Sequence, residues 1–282
     1  MMGFLRFLRV RVVRTRYWRP GEDYLRVISD TVQRFLRDGD ILVVSEKAVS
    51  VAKGNVIDEG RVKAGLLARF LTAFYMRFLW GYFLGKICHF REETMVRLRN
   101  YPLKEGAAHK QAVLRLAGFL QVLKYGSEGG IDVSNLPLSY ACLPLKNPEE
   151  EAESIRKEIE EKTGRKITVI ISDTDSTFSY HNFHFTSRPN PVKGIKSFGG
   201  VFSFVAGRAL RLRQRATPLA VAGAEISVEE ALRLAEAAHH ARGYGAGRTV
   251  WDMRRRFGVD FSGVTWEMLE KVDHFPIVII RK

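Results

Sequence analysis

Cysteine is nearly missing from this chain, with Cys88 and Cys142 the only two in 282 residues. Two thiols cannot build a disulfide framework or a four-thiolate zinc site, so a reducing, intracellular compartment is the expectation. Acidic residues are in deficit, with 31 Asp and Glu against 45 Lys and Arg, and asparagine and glutamine are scarce. The resulting net charge of +14 suits nucleic acid, an acidic membrane surface or a multiply anionic small substrate. A composition rich in arginine and poor in amides also suits heat adaptation. Neither the Walker nor the dinucleotide glycine loop is present, because "GGIDVSN" and "KSFGGVFSFVAGR" match neither spacing. There is no internal repeat and no low-complexity tract.

Long uninterrupted apolar runs are lacking as well. Arginines break the start, "MMGFLRFLRVRVV", every few residues, which excludes the core of a signal peptide. In "GLLARFLTAFYMRFLWGYFLGKICHF" (65–90) the interruptions are Arg69, Arg77 and Lys86. A spanning helix wants about 20 mostly apolar residues, and each central charge would cost roughly 2.5–3.5 kcal/mol on insertion. The stretch therefore reads as a buried or interface helix, with contact to a membrane surface and true spanning as the alternatives.

What remains is an ordinary globular composition, 46% hydrophobic and 27% charged, long enough for one large domain or two small ones. "RVRVVRTRYW" (9–18) alternates like a strand, "PGEDYLRVISDTVQRFLRDGD" (20–40) has helical spacing, and "ILVVSE" (41–46) is a short buried strand. Residues 61 to about 123 are helical and aromatic, broken near Tyr101-Pro102. After a glycine loop and the strand "SYACLPL" comes a helix that starts at Pro148, is capped by Asn147 and is stopped by Gly164. "KITVIISD" (166–173) is an apolar strand ending on Asp173, "SVEEALRLAEAAHHA" (227–241) a helix and "FPIVIIRK" (275–282) a closing strand. The order implies a mixed α/β class. Near residue 190, "SRPNPVKG" is either an exposed loop or a hinge to a C-terminal subdomain.

Two aspartates stand out. Asp132 sits in "YGSEGGIDVSNLPLSY" between a glycine pair and a turn, and Asp173 in "VIISDTDSTF" falls where α/β sheets put functional residues. Thr174, Asp175, Ser176 and Thr177 add hard oxygens, a pattern that suits magnesium or manganese held by one or two carboxylates and substrate phosphates. The competing reading makes both aspartates turn caps. The amides of "SEGG" could face an anion as a nest. His181, His184, His239 and His240 have no companions that complete a zinc site. The basic runs "RALRLRQR" (208–215) and "DMRRRFG" (252–258) fit solvated or inter-subunit faces, an anion-binding wall, or nonspecific nucleic-acid contact.

Several segments taken together resemble the coenzyme F420 γ-glutamyl ligase family (coenzyme F420-0:L-glutamate ligase) of archaeal type. They are "DGDILVVSEKAVSVAKGNV" (38–56), "SEGGIDVSNLP" with the following "LPLKNPEEEAESIRKEIEEKTGRKITVIISDT", "ATPLAVAGAEISVEEALRLAEAA" (216–238) and "FPIVIIRK". The resemblance implies a single mixed α/β ligase domain over 1–282, an intertwined homodimer, and a cytoplasmic enzyme. It also implies GTP as co-substrate, divalent magnesium or manganese, and a potassium ion. In that chemistry a carboxylate of a deazaflavin precursor becomes an acyl phosphate, which the amine of L-glutamate then displaces. Position by position, Asp132, Asp173 and Thr174 match metal-binding residues and Asn135 a nucleotide-contacting one, with Ser45 and Glu46 carried as nucleotide-side residues. Arg188, Lys193 and Lys196 are candidates for holding the anionic acceptor. No residue is singled out as catalytic. The family's early Gly-Leu-Pro is replaced here by "RTRYWRPGED", its Gly-Arg-Pro after "SDT" by "DSTFSYHNFHFTSRPNP", and "GYGAGRTVWDMRRRFGVDFSGV" (243–264) looks inserted. Two rival readings follow: a family member that binds nucleotide or anion without catalysis, and a nonspecific nucleic-acid binder.

Overall fold

A computed structural model describes residues 8–282; most of the arginine-broken start lies outside the described residues. The chain opens with β1 (Arg9–Thr15), α1 (Tyr24–Val32), β2 (Ile41–Ser45), α2 (Glu46–Ala52) and β3 (Val56–Asp58). A helical region follows: α3 (Leu66–Phe70), a π-helix (Leu71–Leu84), α4 (Gly85–Ile87), α5 (Glu92–Arg99), α6 (Leu103–Leu116) and α7 (Phe119–Val122). Then come β4 (Tyr140–Cys142), α8 (Pro148–Thr163), β5 (Thr168–Tyr180), β6 (Phe183–Thr186), β7 (Ile195–Ser197) and α9 (Val201–Ala209). The last elements are β8 (Arg213–Ala222), α10 (Val228–Arg242), α11 (Val250–Phe257), α12 (Trp266–Glu270) and β9 (His274–Arg281).

The main sheet has the order β1-β9-β2-β5-β6-β7, with β8 also paired to β5. β2 and β5 run parallel, while β9 is antiparallel to both β1 and β2. Successive side chains of a strand point to opposite faces, and the apolar run of β2 is buried on both. Leu42 and Val44 pack with Ile28, Val32, Ile155 and Ile159 of α1 and α8. Ile41 and Val43 meet Leu234 and Ala238 of α10 on the other side. The class is thus α/β. β8 and β9, which follow residue 190, belong to the same sheet as β1 and β2.

Local chemistry explains several element ends. Pro148 opens α8 and Gly164 closes it in the left-handed region at φ 67°. The Ser227 side chain caps α10 by accepting from the Glu230 N–H. α1 is shorter than its sequence periodicity predicts. Past Val32 the backbone tightens, with the N–H groups of Phe35 and Leu36 both donating to Val32 O, and this turn drops Leu36 into the core. The strand expected over "SYACLPL" shrinks to three residues that pair with β3 in a separate ribbon.

The apolar stretch 65–90 forms one rod with a π-helical centre. Its buried residues, Leu71, Thr72, Met76, Trp80 and Gly81, recur every four or five positions, a wider turn than the 3.6 residues of an α-helix. Phe70, Phe74, Phe78, Tyr82 and Phe83 occupy the opposite side and are exposed. Neighbouring rings there lie 5.4, 5.3 and 5.8 Å apart from Phe70 to Tyr82. On the inner side, Trp80 Nε1 donates to Leu123 O at 2.9 Å, and Phe204 of α9 packs on the same cluster. Among the described residues, no helix is long and apolar enough to cross a membrane.

α9 fastens this helical region to β5 through one glycine. A Cβ built on Gly207 would fall 2.2 Å from the Phe178 ring, which is fully buried. Gly207→Ala should therefore cost about 1–3 kcal/mol by overpacking. Urea unfolding would register this as a lower midpoint, restored in part by adding Phe178→Leu; an unmoved midpoint would mean that α9 can slide off the strand.

Candidate active site

The parallel pairing of β2 with β5 ends at Ser45 and Ser172, and the crevice where parallel sheets bind ligands opens past that carboxyl edge. Asp173 stands one residue beyond that pair. It is not at the tip of a strand, as its apolar approach suggests, because β5 continues to Tyr180. The pairing with β8 slips between Asp173 and Ser176, an irregularity that re-aims side chains. Thr177 and Phe178 beyond it are buried again. Asp173 Oδ1 accepts the Thr174 N–H at 2.6 Å. Asp175 points inward, 3.6 Å from Lys124 Nζ; burial pushes its carboxyl up to about 6 against the pull of Lys124.

Asp132 is held from the other direction. Its backbone exchanges two hydrogen bonds with Cys142, at 3.1 and 2.8 Å, and the Ser134 N–H donates to Oδ1 at 2.7 Å. The second carboxylate oxygen carries the ammonium of Lys47, from the first turn of α2. Lys47 Nζ also donates to Ser134 Oγ at 2.9 Å and to Ser134 O at 3.3 Å. Burial alone would raise the Asp132 carboxyl, but Lys47 and Ser134 outweigh it and hold the group below the usual carboxylate range. Burial likewise opposes the charge on Lys47, and Asp132 more than restores it.

Arg188 links the remaining acids. Its Nε lies 2.8 Å from Asp173 Oδ2, a terminal nitrogen donates to Glu46 Oε1 at 2.7 Å, and the other donates to Gly129 O at 3.1 Å. Only 2% of its side chain is exposed. Here the glycine pair finds its purpose. Gly130 has φ 88°, and a Cβ there would collide with the Arg188 guanidinium at 1.7 Å. The bare backbone admits an arginine. Arg188 is thus committed to carboxylates instead of a substrate, and Lys193 and Lys196 are exposed and do not line the cavity. Burial raises Glu46 to about 7 in spite of Arg188, because Asp173 and Asp175 crowd it.

These residues surround a cavity of about 1200 Å³. Ser45, Asp132, Asn135, Asp173 and Thr174 all line it, together with Lys47. Glu46 does not; besides Arg188, it accepts the Leu145 N–H at 2.7 Å. Asn135 lines the cavity with its amide engaged, since its Nδ2 donates to Gly247 O at 2.9 Å and its Oδ1 accepts the Ala246 N–H at 2.7 Å. Of the "SEGG" amides, those of Gly129 and Gly130 are already engaged, donating to Gln121 Oε1 and Ser127 O. Cations that sequence patterns did not single out face the space: Arg242, ending α10, and Arg248. Arg242 Nη2 donates to Ser172 Oγ at 3.2 Å, and burial lowers its guanidinium to about 10. Arg248 lies over the Tyr244 ring at 3.9 Å. The basic runs are elsewhere. Arg215 pairs with Glu229 at 2.7 Å, Arg254 with Asp260 at 3.8 Å and Arg255 with Glu93 at 3.2 Å.

The donor set does not fit a divalent ion as it stands. Both Asp132 oxygens are taken, and each carboxylate already carries a side-chain cation. No group of three His, Cys, Asp or Glu among the described residues is arranged to hold a metal. Magnesium is usually held by one or two carboxylates together with water and substrate phosphates, and here both candidate carboxylates are already paired, with Lys47 and Arg188.

The far wall holds a second buried ionic group. His109 on α6 donates through Nδ1 to Glu59 Oε1 at 2.7 Å and through Nε2 to Glu128, and Lys110 Nζ donates to Glu128 Oε1 at 2.8 Å. Burial would deprotonate His109, but the two carboxylates raise it to about 10. Burial would raise Glu128, but Lys110 and His109 bring it down to about 2.

Comparison with known proteins places this geometry. The family model described as F420-0:Gamma-glutamyl ligase matches residues 12–223. The chain belongs to that family. An uncharacterized protein of Methanocaldococcus jannaschii is 36% identical over 97% of this chain and 96% of its own length. The coenzyme F420:L-glutamate ligase of the same organism is 27% identical over 52% of this chain. That of Methanosarcina acetivorans is 26% identical over 61%. The match spans 53% and 60% of the lengths of these two ligases. The cavity wall formed by 243–264, like α10 and β9, lies beyond the residues that the family model matches. The longer M. jannaschii match runs through it.

The His109 group fixes a pH response. Its folded pKa is above the ordinary value of about 6.5, so its stabilisation is complete below that value and is lost as pH rises toward 10. Thermal melts of the wild type should lose up to about 1.4 kcal/mol per pH unit from this group between pH 7 and 10. His109→Gln should flatten that slope, and equal slopes in the two proteins would mean a neutral imidazole.

Proposed function

We propose that the protein joins L-glutamate through an amide bond to a carboxylate of a deazaflavin coenzyme F420 precursor, consuming a nucleoside triphosphate, GTP by family resemblance. The observation that carries this reading is the convergence of Asp132, Asn135, Asp173 and Thr174 on one cavity, beside the cations Lys47, Arg242 and Arg248. A carboxylate oxygen of the acceptor attacks the γ-phosphorus, and the bond to the nucleoside diphosphate breaks. The neutral amine of glutamate then attacks the acyl carbon, inorganic phosphate leaves with the C–O electron pair, and the surplus proton passes to water. Positive side chains fixed at the cavity offset the charge that gathers on phosphate oxygens. Asp132 holds Lys47 in place for that role, and Asp173 holds Arg188 and faces Arg242. We place the reaction in the cytoplasm, where the triphosphate is available.

The test is incorporation of labelled glutamate into the deazaflavin precursor with GTP, Mg²⁺, Mn²⁺ and K⁺ supplied. Asp132→Asn and Asp173→Asn should each lower turnover by roughly 100-fold or more while melting as folded proteins. Undiminished turnover in either would remove that residue from the site.

A second reading is favoured by Asp132 and Asp173 being already paired with Lys47 and Arg188: a family member that binds nucleotide or anion without consuming it. Calorimetric titration with GTP, GDP and ATP alongside the ligation assay separates the two, since binding with no phosphate release selects the second.

We also infer a homodimer through the exposed rings of the π-helix, because a contiguous apolar patch on a soluble protein marks an interaction surface. Light scattering should give twice the chain mass, and Phe74→Glu with Phe78→Glu should halve it. A monodisperse wild-type monomer would remove the inference.

A further inference from the structure

The family resemblance implies divalent ions at Asp132 and Asp173, and the geometry disagrees at both. Lys47 Nζ touches Asp132 and lies within hydrogen-bond reach of Ser134 Oγ and Ser134 O. A cation ringed by a carboxylate, a hydroxyl and a carbonyl is what a hard-ion site looks like, except that this cation is tethered to α2. At Asp173 the same substitution is deeper. Arg188 is almost wholly buried, its planar fork spans Asp173, Glu46 and Gly129 O, and the space for it depends on Gly130 having no side chain. Bidentate or bridging recognition of carboxylates is a task for arginine. Lysine serves as a point charge and binds phosphate in that capacity.

The two cations differ in exposure. The Lys47 side chain is 22% exposed and Arg188 only 2%. Arg188 is therefore a fixed structural counter-charge, whereas Lys47 lines the cavity and can meet a ligand. A divalent ion arriving at Asp132 would have to displace the ammonium or sit against it. Lys47 belongs to none of the motif positions carried over from the family.

We propose that Lys47 and Arg188 are the resident cations of Asp132 and Asp173, and that Lys47 presents a fixed positive charge to the cavity where a divalent ion would otherwise bind. This goes beyond the ligase reading and does not depend on it. A single positive charge is weaker than a divalent ion at neutralising a triphosphate, but chelators cannot remove it.

The test is a titration of the chelator-stripped full chain with MnCl₂, followed by calorimetry and by the electron paramagnetic resonance of free Mn²⁺. Wild type should show no saturable site below millimolar concentration. Lys47→Met, which keeps the stem of the side chain and removes its charge, should bind Mn²⁺ at least ten-fold more tightly than wild type. The gain should vanish in Lys47→Met with Asp132→Asn, and Lys47→Arg should behave as wild type. Thermal melts identify the folded variants. Micromolar Mn²⁺ binding by wild type overturns the proposal without any variant, and so does a folded Lys47→Met no tighter than wild type. The readout is metal binding instead of turnover, so a protein that binds Mn²⁺ weakly yet ligates, or tightly yet does not, tells the two readings apart.

Discussion

One guanidinium ties the molecule's working parts together. Arg188 reaches Glu46 after β2, Asp173 within β5 and the carbonyl of Gly129 in the loop that carries Asp132. Removing an ion from water costs several kcal/mol, which only close partners offset. The arginine is therefore stable in its pocket only while all three segments are in place. The separation of sheet end and glycine loop, and with it the mouth of the cavity, follows from the reach of a single side chain.

Charge balance around that arginine is not complete. Glu46, Asp173 and Asp175 crowd together, and both Glu46 and Asp175 are pushed toward their protonated forms. Lys124 and Arg242 contribute from the helical region and from the end of α10. The acids therefore draw cations from parts of the chain far apart in sequence. A cluster assembled in this way links the sheet to the helical region electrostatically, as Gly207 against Phe178 links them sterically.

The parts legible in the sequence were those that local periodicity and caps determine. The apolar runs of β2 and β9, the Pro148 and Gly164 ends of α8, and the Ser227 start of α10 all stand where residue pattern puts them. Asp132 and Asp173 both line one cavity, but Asp173 does so from within β5 and not from a strand tip. Less was visible where polar residues are buried by partners distant in sequence. The apolar run ends on Asp173, yet "TDSTFSY" continues β5, because Thr177 bonds Thr217 and Ser179 bonds Arg215 and His184. Lys47 lies within the segment 38–56 that carries the family resemblance, but nothing local singles it out, because its partner Asp132 is 85 positions away by their numbers. Arg188 reads from the sequence as a ligand-holding cation, whereas its partners are Glu46, Asp173 and Gly129 O of the protein itself. The segment 243–264 reads as an insertion, and the fold turns it into cavity wall.

The π-helix carries a consequence for how its surface can vary. On an α-helix, residues four apart drift by roughly 40° per step, so a row from 70 to 82 would wind through roughly 120°. On the wider turn a row of four-residue steps winds the other way instead, and the rings of Phe70, Phe74, Phe78 and Tyr82 stay neighbours in one continuous column, each 5.3 to 5.8 Å from the next. Such a column tolerates exchange of one ring for another but not a change in length. Deleting one residue between 71 and 84 would swing every later ring toward the Trp80 side and carry buried positions out to water, so this rod can drift in composition only with its residue count frozen.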